Sequence, residues 1–222
     1  RENDDETNLG SVEIFNNRPW EAEPPLTTAR REACAVVLDG AIYVIGGRND
    51  DQGPLNSVEM LRDGRWEVGP PLTTARYNAC AVVLDGAIYM MGGENEDSYL
   101  SSVEVFRDGR WQAGPELLVG LSNPYAEVLD GAIHIIAGSI GEQSVLRDGV
   151  WRKGVSMNVS REGACSAVLN GVIYVIGGYK GGGVINSVEC FRDGQWQAAP
   201  QLNVARCGAC ATVKDGAIYV MG

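Results

Sequence analysis

The sequence predicts an all-β fold built from repeated four-stranded antiparallel sheets, and three observations lead to this prediction. A hairpin-like segment, first seen as VLDGAIYVIGG at 37–47, recurs along the 222-residue chain. A second pattern follows it and is clearest as SVEMLRDGRWEVGPPLTTAR at 57–76. The tryptophans of this second pattern recur 40 to 46 residues apart. A period in this range is typical of solenoids and propellers.

Each repeat contains four predicted strands, which we name a to d in chain order. Strands a and b, ACAVVL and AIYVIG in the first copy, are joined by Asp39-Gly40. Strands c and d, SVEML and RWEVG, are joined by Asp63-Gly64. Asp-Gly between two β-rich runs indicates a type I′ turn, because both turn residues need a positive φ. The a–b and c–d turns therefore lie at one end of the sheet, and the longer b–c and d–a loops lie at the other.

A single sheet of this kind would leave apolar side chains exposed on both faces. Val36, Ile42, Val44 and Trp66 illustrate the pattern in the first copy. Stacking the sheets radially buries both faces, which is the arrangement of a β-propeller. No segment has a helical periodicity of useful length.

The two ends of the chain complement each other in this scheme. Residues 11–22 match strands c and d, whereas residues 208–221 match strands a and b. We therefore expect one domain over 1–222, a five-bladed propeller closed by N-terminal strands c and d pairing with C-terminal strands a and b. The alternative is a fragment of a six-bladed propeller. The predicted blades, called repeats 1 to 5, lie at 30–70, 76–115, 121–155, 161–200, and 1–23 plus 206–222.

Two charged positions vary together between repeats. Strand c carries a glutamate and the residue before strand a is an arginine, except in repeat 3, which has Ser144 and Leu121 instead. An unpaired half-buried charge is costly, so loss of both partners together indicates an ion pair. The predicted pairs are Arg30–Glu59, Arg76–Glu104, Arg161–Glu189 and, across the closure, Arg206–Glu13.

Composition excludes several classes of partner. The net charge of −11 argues against nucleic acid, and no apolar run is long enough to span a membrane. The equivalent cysteines of four repeats are interpreted as small buried hydrophobes in a reducing, cytoplasmic compartment; they are Cys34, Cys80, Cys165 and Cys210. The single histidine, His134, is interpreted as a core residue of strand b.

The repeat resembles the kelch family, whose marks are Gly-Gly after strand b, a tyrosine ahead of it and a tryptophan in strand d. Three copies carry all of these marks: Gly46-Gly47 with Tyr43 and Trp66, Gly92-Gly93 with Tyr89 and Trp111, and Gly177-Gly178 with Tyr174 and Trp196. Repeat 3 departs from the pattern, with His134 for the tyrosine, Ala137 for the first glycine and a shorter b–c loop, SIGEQ.

The resemblance implies where a partner would bind. In kelch adapters that capture peptides, contacts come from residues just after Gly-Gly and from the start of strand a, at the loop end of the repeats. The first set here is Arg1, Asn3, Arg48, Asp50, Glu94, Glu96, Ser139 and Tyr179. The second set is Arg31, Glu32, Tyr77, Asn78, Ser122, Asn123, Glu162 and Cys207.

These observations favour a non-catalytic module that binds a protein or peptide and needs no cofactor. The acidic b–c loops, RENDDETNLG, RNDDQGPLN and ENEDSYLS, predict a basic or mixed-charge ligand. The resemblance implies the substrate-recognition part of a larger adapter, such as a BTB-kelch ubiquitin-ligase adapter, or a cytoskeletal or scaffold protein. The alternative from another class is an enzyme with a metal site at the acidic mouth, although no known catalytic motif is present.

Overall fold

All regular secondary structure in the described part of the protein is β-strand. The computed structural model describes residues 10–14 and 21–222. Within these ranges no helix is long and apolar enough to cross a membrane. The chain divides into two compact halves, residues 1–114 and 115–222.

The N-terminal half contains two complete repeats. Its strands are β1 (Val12–Ile14), β2 (Glu21–Glu23), β3 (Cys34–Leu38), β4 (Ala41–Ile45), β5 (Arg48–Asn49), β6 (Gly53–Pro54), β7 (Val58–Arg62), β8 (Arg65–Gly69), β9 (Cys80–Leu84), β10 (Ala87–Met91), β11 (Val103–Arg107) and β12 (Arg110–Ala113). Repeat 1 is the antiparallel sheet β3-β4-β7-β8, and repeat 2 is β9-β10-β11-β12. The pair β5-β6 is a small hairpin inside the b–c loop of repeat 1.

The C-terminal half contains two more complete repeats. Its strands are β13 (Tyr125–Leu129), β14 (Ala132–Ala137), β15 (Glu142–Arg147), β16 (Val150–Lys153), β17 (Cys165–Leu169), β18 (Val172–Ile176), β19 (Tyr179–Lys180), β20 (Gly183–Val184), β21 (Val188–Arg192), β22 (Gln195–Ala199), β23 (Cys210–Lys214) and β24 (Ala217–Met221). Repeat 3 is the sheet β13-β14-β15-β16, and repeat 4 is β17-β18-β21-β22. Repeat 3 ends its b–c loop early, since Glu142 and Gln143 of the predicted loop SIGEQ lie in β15.

The hairpin turns have the predicted geometry. Asp39 and Gly40 have φ angles of 49° and 76°, and Asp63 and Gly64 have 49° and 72°. Both residues of each turn are thus in the left-handed region, as a type I′ turn requires.

The terminal strands form separate two-stranded sheets. Strand β1 pairs with β2, and β23 pairs with β24. The predicted four-stranded blade combining them is not among the described sheets. Ring closure, the number of blades and the extent of a single domain therefore stay predictions.

The core of each half lies where the sheets of neighbouring repeats face each other. In the N-terminal half, β3 lies against β9. Tyr43 and Ile45 of repeat 1 and Leu72 of the following loop pack with Ile88 and Phe106 of repeat 2. In the C-terminal half, β13 lies against β17. There the cluster contains Tyr125, Ile136, Met157, Ala164, Ile173, Val175 and Trp196. Neighbouring sheets therefore bury the apolar faces that meet between complete repeats, whereas Ile42 of repeat 1, which was expected to be buried, is 38% exposed.

The buried cysteine interpretation holds for three of the four equivalent positions. Cys80 and Cys165 are buried and Cys34 is half-buried, whereas Cys210 is exposed. Burial raises the pKa of the Cys34 thiol to about 12. A thiol that stays protonated in an apolar setting behaves as a small hydrophobe.

Three of the predicted ion pairs are confirmed. The Arg Nη2–Glu Oε1 distances are 2.7 Å for Arg30–Glu59, 3.0 Å for Arg76–Glu104 and 2.9 Å for Arg161–Glu189. Both side chains of each pair are buried. In the fourth case Arg206 Nη1 donates to the carbonyl oxygen of Gly222, at 2.7 Å, and the Arg206–Glu13 pair stays a prediction.

Arg76 illustrates how such an arginine connects two repeats. The Arg76 side chain belongs to repeat 2, where Nη1 donates to the carbonyl oxygens of Gly92 and Ser102. The Arg76 backbone belongs to repeat 1, because its N–H donates to Leu55 O and its carbonyl accepts from Gly47 N. One residue therefore fixes the loop end of both sheets.

The Gly-Gly motif is explained by the close approach of neighbouring backbone at the loop end. Gly46 and Gly47 have φ angles of 62° and 95°. A Cβ on Gly46 would lie 2.5 Å from the carbonyl oxygen of Arg76, and one on Gly47 would lie 2.7 Å from that of Arg31. Only glycine allows the backbone to turn here and approach the next repeat so closely.

A tryptophan in each complete repeat makes a second contact between consecutive segments. Trp66, Trp111, Trp151 and Trp196 donate through Nε1 to backbone carbonyls at 2.7 to 2.9 Å. The acceptors are Pro24, Pro70, Pro115 and Val155. Each indole thereby fixes the start of the d–a loop that precedes its repeat. Its ring is at least half-buried.

Replacing Glu104 by Gln should destabilise the protein strongly. The variant leaves the fully buried Arg76 guanidinium without a counter-charge, and such a change costs about 3–5 kcal/mol. The measurement is the free energy of unfolding in urea. Glu142→Gln is the matched control, because its pair with Lys153 is solvent-exposed and should contribute about 1 kcal/mol or less. Equal losses in the two variants would contradict the assignment.

The same ion pairs should make the free energy of unfolding fall as the pH becomes acidic. Burial alone would raise the pKa of Glu59, but hydrogen bonds from Thr27 and Thr28 together with the Arg30 charge hold it below its usual range. A carboxyl with a lowered pKa stabilises the fold above the unfolded value, about 4.3, and loses that contribution as the pH falls through the folded value. Glu59→Gln should therefore flatten the acid limb of the stability–pH curve, measured by denaturant unfolding from neutral pH downward.

Candidate functional site

The two predicted sets of binding residues meet through main-chain hydrogen bonds. Arg31 and Arg48 exchange N–H···O bonds of 3.0 and 2.9 Å. Tyr77 and Glu94 exchange bonds of 3.1 and 2.9 Å, and Glu162 and Tyr179 exchange bonds of 3.1 and 2.8 Å. The residue after Gly-Gly is thus paired with the residue that leads into strand a of the same repeat, as the predicted loop end requires.

The next residue, at the start of strand a, has a positive φ in the left-handed region. Glu32, Asn78 and Asn123 have φ angles of 56°, 49° and 48°, where the other repeats have Gly163 and Gly208. Asn tolerates this conformation better than most side chains. The need for a positive φ explains why Asn78 and Asn123 are asparagines, without invoking a ligand. It does not explain the exposed Glu32, because glutamate has no such preference.

The acidic b–c loops of repeats 1 and 2 are shaped by asparagine side chains. Asn49 Oδ1 accepts from the backbone N–H groups of Asp51 and Gln52, at 2.9 and 3.2 Å. Asn95 Oδ1 accepts in the same way from residues 97 and 98, at 3.0 and 2.9 Å. These Asx turns hold the neighbouring carboxylates outward into solvent.

Two clefts, each of about 400 Å³, lie on either side of the repeat 2 loop. The first, which we call the Tyr77 cleft, is lined by Tyr77, Glu94, Asn95, Glu96, Asp97, Ser98 and Tyr99. The second is lined by Gln52, Pro54, Thr73, Thr74, Ala75, Asn95, Glu96 and Asp97. Both combine carboxylates with aromatic or aliphatic surface.

The Tyr77 cleft already has a cation at its edge. The Arg48 guanidinium carbon lies 5.3 Å from the centroid of the Tyr77 ring, a cation–π contact. Asn78 Nδ2 donates to Glu94 Oε1 at 2.9 Å and orients that carboxylate. Burial and the nearby Glu94 charge raise the pKa of Tyr77, so its hydroxyl stays protonated.

The neighbouring Arg31 is engaged with an acidic residue of its own repeat. Its Nη1 lies 2.5 Å from Asp50 Oδ1. Arg31 is half-buried and Asp50 is exposed, so the pair lies at the surface. Glu96 is exposed as well, and the loop end of the N-terminal half thus presents charges of both signs with an acidic excess.

The loop end of the C-terminal half has a different chemistry. A cleft of about 190 Å³ is lined by Ser139, Ser160, Arg161, Glu162, Tyr179, Lys180 and Gly181. One carboxylate and one ammonium group balance each other here. The acidic character predicted for the loop face therefore belongs, among the described residues, to the N-terminal half.

The remaining predicted residues are placed as follows. Ser122 is half-buried, and Cys207 is exposed with its thiol 3.8 Å from the carbonyl oxygen of Glu162. Arg1 and Asn3 lie outside the described residues. Whether any of the predicted residues binds a partner stays a prediction.

The predicted binding set lacks four residues that line the Tyr77 cleft: Asn95, Asp97, Ser98 and Tyr99. Tyr99 is 64% exposed, and its backbone forms a bridge with Glu94. Asn95 builds the loop between the clefts. A signal for Asn95 was available, because Asn49 and Asn95 each stand two residues after Gly-Gly, just ahead of paired acids.

Comparison with known proteins identifies the repeat. A family model described as Kelch motif matches residues 29–73, 75–118 and 160–203, together more than half of the chain. Among solved structures, the one titled "Structure of YjhT" is similar with a TM-score of 0.77 at 14% identity, covering 97% of this chain and 98% of that one. No curated protein matches the sequence. The predicted fold class, a kelch-type β-propeller of four-stranded antiparallel blades, is confirmed.

Replacing Asn95 by Ala should loosen the repeat 2 loop and little else. The backbone N–H groups of Asp97 and Ser98 lose their acceptor, so their hydrogen exchange should accelerate while global stability changes by about 1 kcal/mol or less. Exchange measured by NMR tests this. Asn49→Ala is the reciprocal control, since it should accelerate exchange at Asp51 and Gln52 and leave the repeat 2 loop unchanged. Unaltered exchange at residues 97 and 98 would contradict the Asx-turn role.

Proposed function

Because the chain belongs to the kelch-repeat family, we propose that it is a non-catalytic protein-binding module whose N-terminal half takes a basic or mixed-charge peptide at the loop end of repeats 1 and 2. Kelch propellers commonly mediate protein–protein interactions. Rigid sheets that carry variable loops are also a common basis for recognition.

The Tyr77 cleft is the observation that carries this proposal. It offers three carboxylates, Glu94, Glu96 and Asp97, next to the rings of Tyr77 and Tyr99. An arginine or lysine side chain gains charge-assisted hydrogen bonds from the first group and a cation–π contact from the second. Arg48 already makes one such contact with Tyr77, which supports the ability of this ring to accept a guanidinium.

The ligand can also carry an acidic group. Arg48 is exposed and stands at the edge of the Tyr77 cleft. A peptide with a cation in the cleft and a carboxylate one or two residues away would satisfy both signs of charge. Complementarity of this kind mainly raises the association rate and the specificity, and salt weakens it.

At the level of the whole protein, we place the module in a larger substrate adapter, such as a BTB-kelch ubiquitin-ligase adapter. A cytoskeletal or scaffold role uses the same loop end and is the alternative. A cytoplasmic location is part of the same proposal, in keeping with the buried, protonated thiols of Cys80 and Cys165.

The rival hypothesis is a metal-dependent enzyme at the acidic loops. Within residues 10–14 and 21–222, no group of three or more His, Cys, Asp or Glu side chains is arranged to hold a metal ion. Calorimetric titration with Mg²⁺, Ca²⁺ and Zn²⁺ tests this rival directly. Stoichiometric binding that is lost in Glu96→Lys would favour it over the peptide-binding role.

Selection of displayed random peptides on the immobilised chain tests the proposal. Enriched peptides should contain arginine or lysine, and their binding should weaken as salt is raised. The double variant Glu96→Lys, Asp97→Lys should lose these peptides, because two exposed carboxylates of the cleft become cations.

Glu67→Lys is the matched control for that experiment. Glu67 is an exposed carboxylate in the middle of β8, away from the loops, so the same reversal of charge there should keep the selected peptides. Enrichment of the same peptides on the double variant as on the wild type would contradict the proposed site.

A further inference from the structure

A cavity of about 450 Å³ lies at the turn end of the C-terminal half, between repeats 3 and 4. Repeat 3 contributes His134, Asp130 and Arg147 to its lining, and repeat 4 contributes the turns that contain Asn170 and Arg192. This is the end of the sheets opposite the loops, so the cavity is separate from the peptide site proposed above.

The residue at the base of the cavity departs from the repeat. The other four repeats have a tyrosine at this position of strand b, but repeat 3 has His134. In repeat 1, Tyr43 packs on Phe106 with ring centroids 5.6 Å apart at 56°. His134 packs on Phe191 in the same way, at 5.6 Å and 55°. The smaller imidazole therefore occupies the tyrosine position and leaves room where the phenol would lie.

A second departure fixes the imidazole proton. Gln143 is fully buried where the other repeats have Val58, Val103 and Val188. Its Nε2 lies 3.0 Å from His134 Nδ1. With the Gln143 amide oriented so that its nitrogen faces the ring, its N–H donates to Nδ1, which assigns the ring proton to Nε2. Burial lowers the pKa of His134, with Arg147 acting in the same direction, so the ring is neutral at physiological pH.

A third departure removes a negative charge from the rim. The a–b turns of the other repeats have aspartate, at Asp39, Asp85, Asp130 and Asp215, but repeat 4 has Asn170. An amide can donate a hydrogen bond, which a carboxylate cannot.

The rim also carries two cations. Arg147 and Arg192 are both exposed, and neither forms an ion pair with any other described residue. Asp130 and Asp193 balance their charge. In the equivalent place between repeats 1 and 2, Asp85 would add a third carboxylate. The exchange of Asp for Asn therefore removes the negative excess that this rim would otherwise have.

We propose that this cavity binds a small oxyanion, a carboxylate or phosphate group, through the Nε2–H of His134, the side-chain amide of Asn170 and the guanidinium groups of Arg147 and Arg192. The three departures from the repeat all favour hydrogen-bond donation into the cavity. His134 and Asn170 are donors, and Gln143 orients the His134 ring. Phe191, Leu129 and Val172 supply an apolar wall for the carbon skeleton of the ligand.

The test uses the fact that His134 is the only histidine in the chain. Its imidazole ¹H and ¹⁵N resonances are unique reporters of the cavity. The whole chain is titrated at neutral pH with sodium phosphate in one arm and sodium acetate in the other, with sodium chloride at matched ionic strength as the reference. A saturable shift in the phosphate arm identifies a phosphate ligand, and one in the acetate arm identifies a carboxylate ligand. No saturable shift in either arm overturns the proposal.

Two variants test the assignment of the donors. Asn170→Asp restores the residue that the other turns have, so it should keep the fold while weakening anion binding about tenfold or more. Arg147→Ala should weaken it to a similar degree. Arg62→Ala, the equivalent change in repeat 1, is the matched control and should leave the titration unchanged. Unaltered affinity in both Asn170→Asp and Arg147→Ala would overturn the proposal.

Discussion

The buried arginine–glutamate pair is the interaction on which repeats 1, 2 and 4 depend. A guanidinium taken out of water is tolerated only when its charge and its N–H groups are satisfied. Arg161 meets this condition, because Nη1 donates to Gly177 O and Ser187 O while Nη2 donates to Glu189. Glu189 in turn accepts from the backbone N–H groups of residues 158 and 159. The pair therefore connects the d–a loop, the end of strand b and the start of strand c.

The position of the arginine backbone turns this local network into contact between repeats. Arg161 N donates to Gly138 O of repeat 3, while its side chain lies in repeat 4. Repeat 3 has no such pair of its own, and a tyrosine contributes in the same region. Tyr125 Oη donates to Arg161 O and accepts from Ala164 N, at 3.1 and 2.8 Å. A buried hydroxyl bonded on both sides thus joins repeats 3 and 4 without introducing a charge.

Satisfying the backbone at the loop end leaves the loop side chains available for recognition. Gly46 and Gly47 are confined by neighbouring carbonyls, whereas Arg48 and Asp50, which follow them, are exposed, and the residues at these places differ from repeat to repeat. The turn end is more uniform, and Asn170 of repeat 4 is its departure among the a–b turns. Repeat 3 departs inside the sheet. His134 and Gln143 replace residues that are apolar or aromatic in the other repeats. Two polar side chains are therefore buried in what is otherwise a hydrophobic core.

The sequence by itself determined the elements, their order and three ion pairs. Period-2 strands, Asp-Gly turns and a repeat of about 45 residues are local signals, and they predicted sheets whose strands match the structure within a residue or two. The joint loss of Arg and Glu in repeat 3 identified the pairs, because a buried charge requires its partner. The same signals placed the residues after Gly-Gly next to those that begin strand a.

Only the tertiary structure decided which of those residues form a cleft. Tyr99 joins Tyr77 and Glu94 because the Asx turn of Asn95 brings the chain back to a bridge between Tyr99 and Glu94. The sequence marks Asn95 as a turn residue but does not place Tyr99. The bond between Gln143 and His134 likewise depends on strand register, which places the two side chains on one face although they are nine residues apart. Periodicity predicts which face of a strand is buried, but the neighbours that share that face are set by how the sheets pack.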